Sequence, residues 1–205
     1  MIKLTSWFGQ QSFMISSLSP RERVIQTALH LFYTEGFHAV GTNLICSEAK
    51  VNKSTLYHLF PSKVDMVLAA LEVYASDITR KFTQIAKSKM PAEQKLEQIF
   101  ETPFRANQDL KQQLGYVKGC FVGNIALELA GKEERVRTYL AHVFQTWAET
   151  IEPIVKELAI DRDVDTQKVS RSMIAYLQGA ILLSKTHNDP QFIKDFAKSA
   201  SALVL

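Results

Sequence analysis

Five polar side chains crowd one short stretch, Lys53, Ser54, Thr55, Tyr57 and His58, on a segment that Asn52 can cap and that must end before Pro61. Lysine bonds guanine or a phosphate, hydroxyls bond phosphates and bases, and a threonine methyl packs against the methyl of thymine. Val51, Leu56, Leu59 and Phe60 fall between them and point inward, so a helix here presents a short polar and aromatic face. Two readings fit that face equally: contact with nucleic acid, or a solvated surface between two core helices. Other chemistries find no residues. His30, His38, His58, His142 and His187 show no metal-ligand spacing. Neither Cys46 nor Cys120 has an adjacent base or a paired ligand, and no Gly-rich phosphate loop occurs. Neither an enzyme nor a metal or cofactor site is expected.

Composition sets the frame for those residues. The 205 residues are 46% hydrophobic and 22% charged, with only 8 Gly and 6 Pro, which suits one large domain or a small and a larger one, each with a buried core. Two cysteines without zinc-finger or disulfide spacing point to a reducing cytoplasm. A net charge of +3 does not by itself announce a nucleic-acid binder, and residues 1–65 carry six Lys or Arg against four Asp or Glu. No apolar run is long enough to span a membrane. Met1 to Leu18 is expected to be an extension without regular structure. Lys3 is too thin a charged region for a secretion signal, Gln10, Gln11 and Ser12 interrupt the apolar run, and translation could begin at Met14.

The elements that must position the polar face read as helices throughout. Ser19-Pro20-Arg21-Glu22 is a capping box with proline at the first helical position, and Gly36 stops the helix over 20–35. Short helices follow over 42–49 and 53–59, separated by Lys50-Val51-Asn52, the spacing of a helix-turn-helix. The second is too short to be stable alone. Ser62 and Asp65 cap a long helix with the stripe Val67, Leu71, Tyr74, Ile78, Phe82 and Ile85. Pro91 starts a helix that Pro103 is expected to kink or end, with a looser stretch over 108–118. Further helices are expected over 120–130, 133–159, 166–185 and 190–203, the last with Asp189 as its cap. Nine helices and no strand make an all-α protein.

The run Thr55-Leu56-Tyr57-His58-Leu59-Phe60-Pro61-Ser62-Lys63, preceded by Gly36-Phe37 and by Ile45, Glu48-Ala49 and Val51, resembles the DNA-binding domain of TetR-family transcriptional regulators. The similarity is close over about residues 19–71. It extends loosely to the end through Cys120 to Ala130, which resembles a Gly-Cys/Gly-Asn-Leu-Ala pattern in one branch of that family. The resemblance implies a helix-turn-helix head over 19–65 and an effector-binding, dimerising domain over 66–205. It also implies roles for single residues. Thr42 would meet a phosphate, Lys53, Ser54 and Thr55 would face the major groove, and Tyr57 and His58 would reach phosphates at its edge. Lys63, in the first turn of its helix, would anchor another phosphate. Many members have glycine where Lys50 stands, and a left-handed lysine costs about 1 kcal/mol.

Two copies would read a palindromic DNA operator, pairing through the last two helices, with Met173, Leu177, Gly179, Ala180, Phe192 and Phe196 as interface residues. A small-molecule effector would enter between the fourth and middle helices, against Phe100, Phe104, Tyr116, Cys120, Asn124, Phe144, Trp147 and Tyr176. Repression is expected because the family mostly represses. The alternatives are a thiol-based redox or electrophile sensor acting through Cys120, and a helical interaction protein that ignores DNA.

Overall fold

The computed structural model describes residues 18–160 and 163–204. All but the last residue of the expected N-terminal extension lies outside that range. Nine α-helices make up the described residues, with no strand: α1 Pro20–Glu35, α2 Thr42–Ala49, α3 Lys53–Leu59, α4 Lys63–Ala86, α5 Ala92–Leu114, α6 Phe121–Leu129, α7 Glu134–Leu158, α8 Thr166–Thr186 and α9 Gln191–Ala200. A 3-10 turn, Ser201–Val204, follows.

Local chemistry sets the first boundaries. Ser19 and Glu22 close a reciprocal capping box on α1, and Ser62 and Asp65 repeat it on α4. Ser19 holds the Glu22 carboxyl below its usual range by donating to it from both its hydroxyl and its backbone amide. At Gly36 the chain takes a φ of 90°, and a Cβ would come within 3.1 Å of Glu128 Oε1, so glycine serves both the conformation and the close approach.

The turn between α2 and α3 accepts a strained residue. Lys50 has φ 53° and ψ 49°, the left-handed geometry that glycine adopts without cost. Its surroundings hold it there: Arg23 Nε donates to the Ala49 carbonyl at 2.9 Å, while the Val51 amide bonds the Cys46 carbonyl at 3.1 Å.

Two boundaries differ from the sequence expectation. Proline 103 neither ends nor loosens its helix, because α5 continues to Leu114. The same face stays buried on both sides of it, with Leu96, Ile99 and Phe100 before and Phe104, Asn107 and Leu110 after. That continuous apolar stripe outweighs the missing amide, and Gly115 at φ 81° ends the helix instead. Residue 190 is the cap of α9 and not its first helical residue; Asp189 Oδ1 accepts the Gln191 amide at 3.0 Å from one position further out.

In the tertiary fold α7 lies between α4 and α8, α9 packs on α5 and α8, and α1 packs on α2 and α4. One apolar core runs through both parts. Val24, Phe32, Ile45 and Leu56 fill the head, and Ile99, Phe100, Phe121, Ile125 and Trp147 fill the body. Between them Tyr33, Tyr74 and Phe121 meet in a ring triangle, with centroids 5.6 to 5.8 Å apart.

Because Lys50 pays a conformational cost that glycine does not, Lys50→Gly is expected to stabilise the fold by about 1 kcal/mol. That corresponds to a rise in Tm of roughly 2–4 °C for a chain of this size. A thermal melt showing no change or a fall would mean that the lysine makes contacts worth more than its strain.

Candidate nucleic-acid interface and ligand openings

The polar face stands as a built surface. Asn52 caps α3 by accepting the Thr55 amide at 2.7 Å, and Leu56, with no exposed surface, pins the helix to the head core. Lys53, Ser54, Tyr57 and His58 are exposed beside a half-buried Thr55. From the start of α2, the Thr42 hydroxyl lies 3.3 Å from the Tyr57 hydroxyl, so two side chains fifteen positions apart form one hydroxyl pair at the edge of the face. Leu44 was not anticipated. It is 42% exposed on α2 and adds an apolar contact next to Thr42, of the kind that suits a thymine methyl.

Lys63 does not join that surface. Its ammonium donates to the Phe37 carbonyl and lies 4.2 Å from the centre of the Phe37 ring. Burial lowers its pKa, with Glu128 acting in the opposite direction.

Behind the face, the turn after α1 is gripped by the body. Both Glu128 oxygens accept backbone amides, from Phe37 and His38, each at 3.2 Å. Lys118 Nζ donates to the Thr34 carbonyl at 3.0 Å, and the Tyr33 hydroxyl donates to the Gly119 carbonyl at 2.8 Å. Asn107, buried on α5, completes the joint by donating to the Gly119 carbonyl at 3.1 Å and accepting its amide at 2.7 Å. Glu128 also escaped the sequence reading, although it is the one charged residue between Cys120 and Ala130.

The eight residues expected around an effector separate into two groups. Phe100 and Trp147 belong to the core. Phe100 packs on Tyr176 and Tyr176 on Phe196, with ring centres 6.1 and 5.3 Å apart, while Trp147 donates to Thr79 Oγ1 at 3.0 Å. Phe104 is also buried, beneath the Lys194 ammonium. The remaining four line openings. Cys120, Asn124 and Phe144 border an apolar groove of about 250 Å³ between α6 and α8, and Tyr116 with Asn124 borders a crevice of about 410 Å³ at the head–body seam. Asn124 is engaged at both ends: its amide nitrogen donates to the Lys118 carbonyl at 2.8 Å and its oxygen accepts Lys185 Nζ at 2.9 Å. Burial pushes the Cys120 thiol up, while the Gly123 amide and Gln178 pull the other way. Burial outweighs those hydrogen bonds, so the redox alternative is not favoured.

Among the expected pairing residues, Met173, Leu177 and Ala180 are buried within the chain itself. Phe192 stacks on His187 at 4.3 Å, Phe196 packs on Tyr176, and Gly179 is exposed. No helix among the described residues is long and apolar enough to cross a membrane.

The chain thus sets a short capped helix, polar outward, after a second short helix in helix-turn-helix order, at one end of a larger helical body. Residues 24–70 match the family of bacterial regulatory proteins of the tetR type, and residues 93–200 match the tetracyclin repressor-like C-terminal domain. The chain belongs to the TetR family. It is 26% identical over 191 residues to the HTH-type transcriptional regulator YxaF of Bacillus subtilis, covering 93% of this chain and 98% of that one. Over 181 residues it is 24% identical to the HTH-type transcriptional repressor DhaR of a Mycobacterium species, covering 86% and 87%. A regulatory protein TetR from Rhodobacter sphaeroides shares the fold with a TM-score of 0.78 at 23% identity, covering 90% of this chain and 98% of its own.

The Gly119 joint separates two kinds of loss. Asn107→Ala leaves a buried amide without its acceptor and is expected to cost about 1–3 kcal/mol, whereas Tyr33→Phe removes one of two donors to a single carbonyl and costs about 0.5–1.5 kcal/mol. Chemical denaturation of both variants checks the order; a larger loss for Tyr33→Phe would show that the tyrosine carries the joint.

Proposed function

We propose that this regulator is a homodimeric repressor, that two copies of its α2–α3 unit bind a palindromic operator, and that a small-molecule effector releases it. The observation that carries the DNA part is the α3 face: Lys53, Ser54, Tyr57 and His58 exposed together on a helix whose other side is anchored by a wholly buried Leu56. Lys53, Ser54 and Thr55 face base edges, and Thr42, Tyr57 and His58 meet phosphates. The head, to about residue 65, reads DNA, and the body senses and dimerises, α4 being the helix they share. Repression is supported by the likeness to DhaR, itself a transcriptional repressor.

Support for pairing comes from the outer side of α8. Ser172, Ala175, Gly179, Leu182 and Thr186 are all exposed and recur at helical spacing, a stripe of small and apolar residues on which a second helix can lie closely. This stripe replaces Met173, Leu177 and Ala180, whose side chains are spent on the chain's own core. A palindromic operator requires twofold symmetry, with two recognition helices one turn of DNA, roughly 34 Å, apart. Effector access is supported by the crevice beside Asn124 that touches the turn carrying the head, which lies off the pairing stripe.

Selection of bound fragments from genomic DNA is expected to recover one palindromic sequence, and no enrichment at low salt would overturn operator recognition. On that operator, Lys53→Ala is expected to change base preference with a loss of about 1–3 kcal/mol, while Tyr57→Phe weakens all sequences evenly. Leu182→Arg is expected to convert a dimer to a monomer in sedimentation at micromolar concentration. A wild-type protein already of monomer mass there would remove the dimer.

A further inference from the structure

The crevice at the head–body seam is lined by the last turn of α1 on one side and by Tyr116, Lys118, Asn124, Glu128 and Lys185 on the other. Two ammonium groups belong to it, and among the described residues neither has a carboxylate within ion-pair distance. Lys118 Nζ bonds the Thr34 carbonyl at 3.0 Å and Lys185 Nζ bonds the Asn124 oxygen at 2.9 Å, both neutral acceptors. Two acids also line the crevice, Glu35 on the last turn of α1 and Glu128, and Glu128 spends both oxygens on the Phe37 and His38 amides. Burial and the neighbouring Lys118 charge lower the Lys185 pKa, with Glu128 opposing, so an added anion would relieve an existing like-charge tension.

The walls are fixed before any ligand arrives. Asn188, held at φ 50°, accepts the Val117 amide at 2.8 Å and donates to the Gly115 carbonyl at 3.2 Å, which sets the segment carrying Tyr116 and Lys118. Tyr116 is 64% exposed, with its ring centre 5.9 Å from Lys118 Nζ, an aromatic surface beside a cation. A volume of about 410 Å³ accommodates a small organic molecule.

We propose that this crevice binds a small organic carboxylate, its charged end between Lys118 and Lys185 and its apolar body against the Tyr116 ring. The inference rests on reading the protein as effector-responsive and places that response at one contact. An anion seated between Lys118 and Lys185 draws the Lys118 ammonium away from the Thr34 carbonyl and so loosens the end of α1, from which the turn to the recognition helices departs. A neutral molecule of the same shape has no such effect, because it offers Lys118 nothing stronger than it already holds.

Benzoate and benzamide are the probes, one charged and one neutral, titrated calorimetrically into the full-length protein. Benzoate is expected to bind at least about tenfold more tightly, and Lys118→Met and Lys185→Met are each expected to lower its affinity about tenfold while leaving benzamide unchanged. Circular-dichroism melts establish that each variant folds; if Lys118→Met does not, Lys185→Met decides. Equal binding of the two probes, no binding of benzoate at millimolar concentration, or affinity untouched in a folded variant overturns the site. Operator release is measured separately. Benzoate that binds through the lysines without releasing DNA upholds the site and removes the effector reading, whereas release that persists in both variants overturns the site as its origin.

Discussion

The position of the recognition helix depends on a turn of a few residues, Thr34 to His38, whose backbone polar groups are satisfied largely by side chains from elsewhere. At the end of a helix the carbonyls have no partners, and in the turn beyond it the amides have none either. Here Lys118 and Lys63 supply donors to the Thr34 and Phe37 carbonyls, and Glu128 supplies both acceptors for the Phe37 and His38 amides. Opposite charges therefore grip opposite backbone polarities within one turn. Two of the three come from the body, so the head is oriented by the same residues that border the seam crevice.

That arrangement explains why so small a head can be rigid. α3 has seven residues and no stability of its own, and its anchoring passes through the buried Leu56 to the head core and through α2 to α1, then from α1 to the body through Tyr33 and the Gly119 carbonyl. The Tyr33, Tyr74 and Phe121 rings close the same joint with apolar contact. Displacement of the turn after α1 would be felt at α2 and α3 because little flexible chain separates them. Val40, only 1% exposed, ties the intervening loop to the core.

Much of the fold was legible because its signals are local. Ser19 with Glu22 and Ser62 with Asp65 announce helix starts from four residues each, and both capping boxes form. The α3 face was legible for the same reason: cap, anchor and polar residues lie within nine positions. What stayed hidden depends on residues far apart in the chain. Lys63 reads as a free cation at a helix start until Phe32 and Phe37 close around it. Met173, Leu177 and Ala180 read as an interface because apolar spacing on a helix does not say whether the covering partner is the same chain or another. The exposed stripe of Ala175 and Gly179 carries almost no hydrophobic signal at all. Phe100 and Trp147 looked like pocket walls by the same ambiguity, whereas Glu128, a lone acid in an apolar helix, was a signal that could have been weighed.

The modest net charge of +3 takes on a different meaning once the lysines are placed. Lys63, Lys95, Lys118 and Lys185 all bond acceptors within the chain, Lys95 to Glu157 at 2.7 Å, so these four ammonium groups are engaged inside the fold while the net charge stays as it is. In the proposed response, Lys118 and Lys185 act on DNA through the seam. A coupling free energy between two sites is typically about 1–3 kcal/mol, and a hydrogen bond to a charged group contributes about 1.5–3 kcal/mol. One ammonium shifting between the Thr34 carbonyl and a ligand thus exchanges an amount of the size that regulation requires.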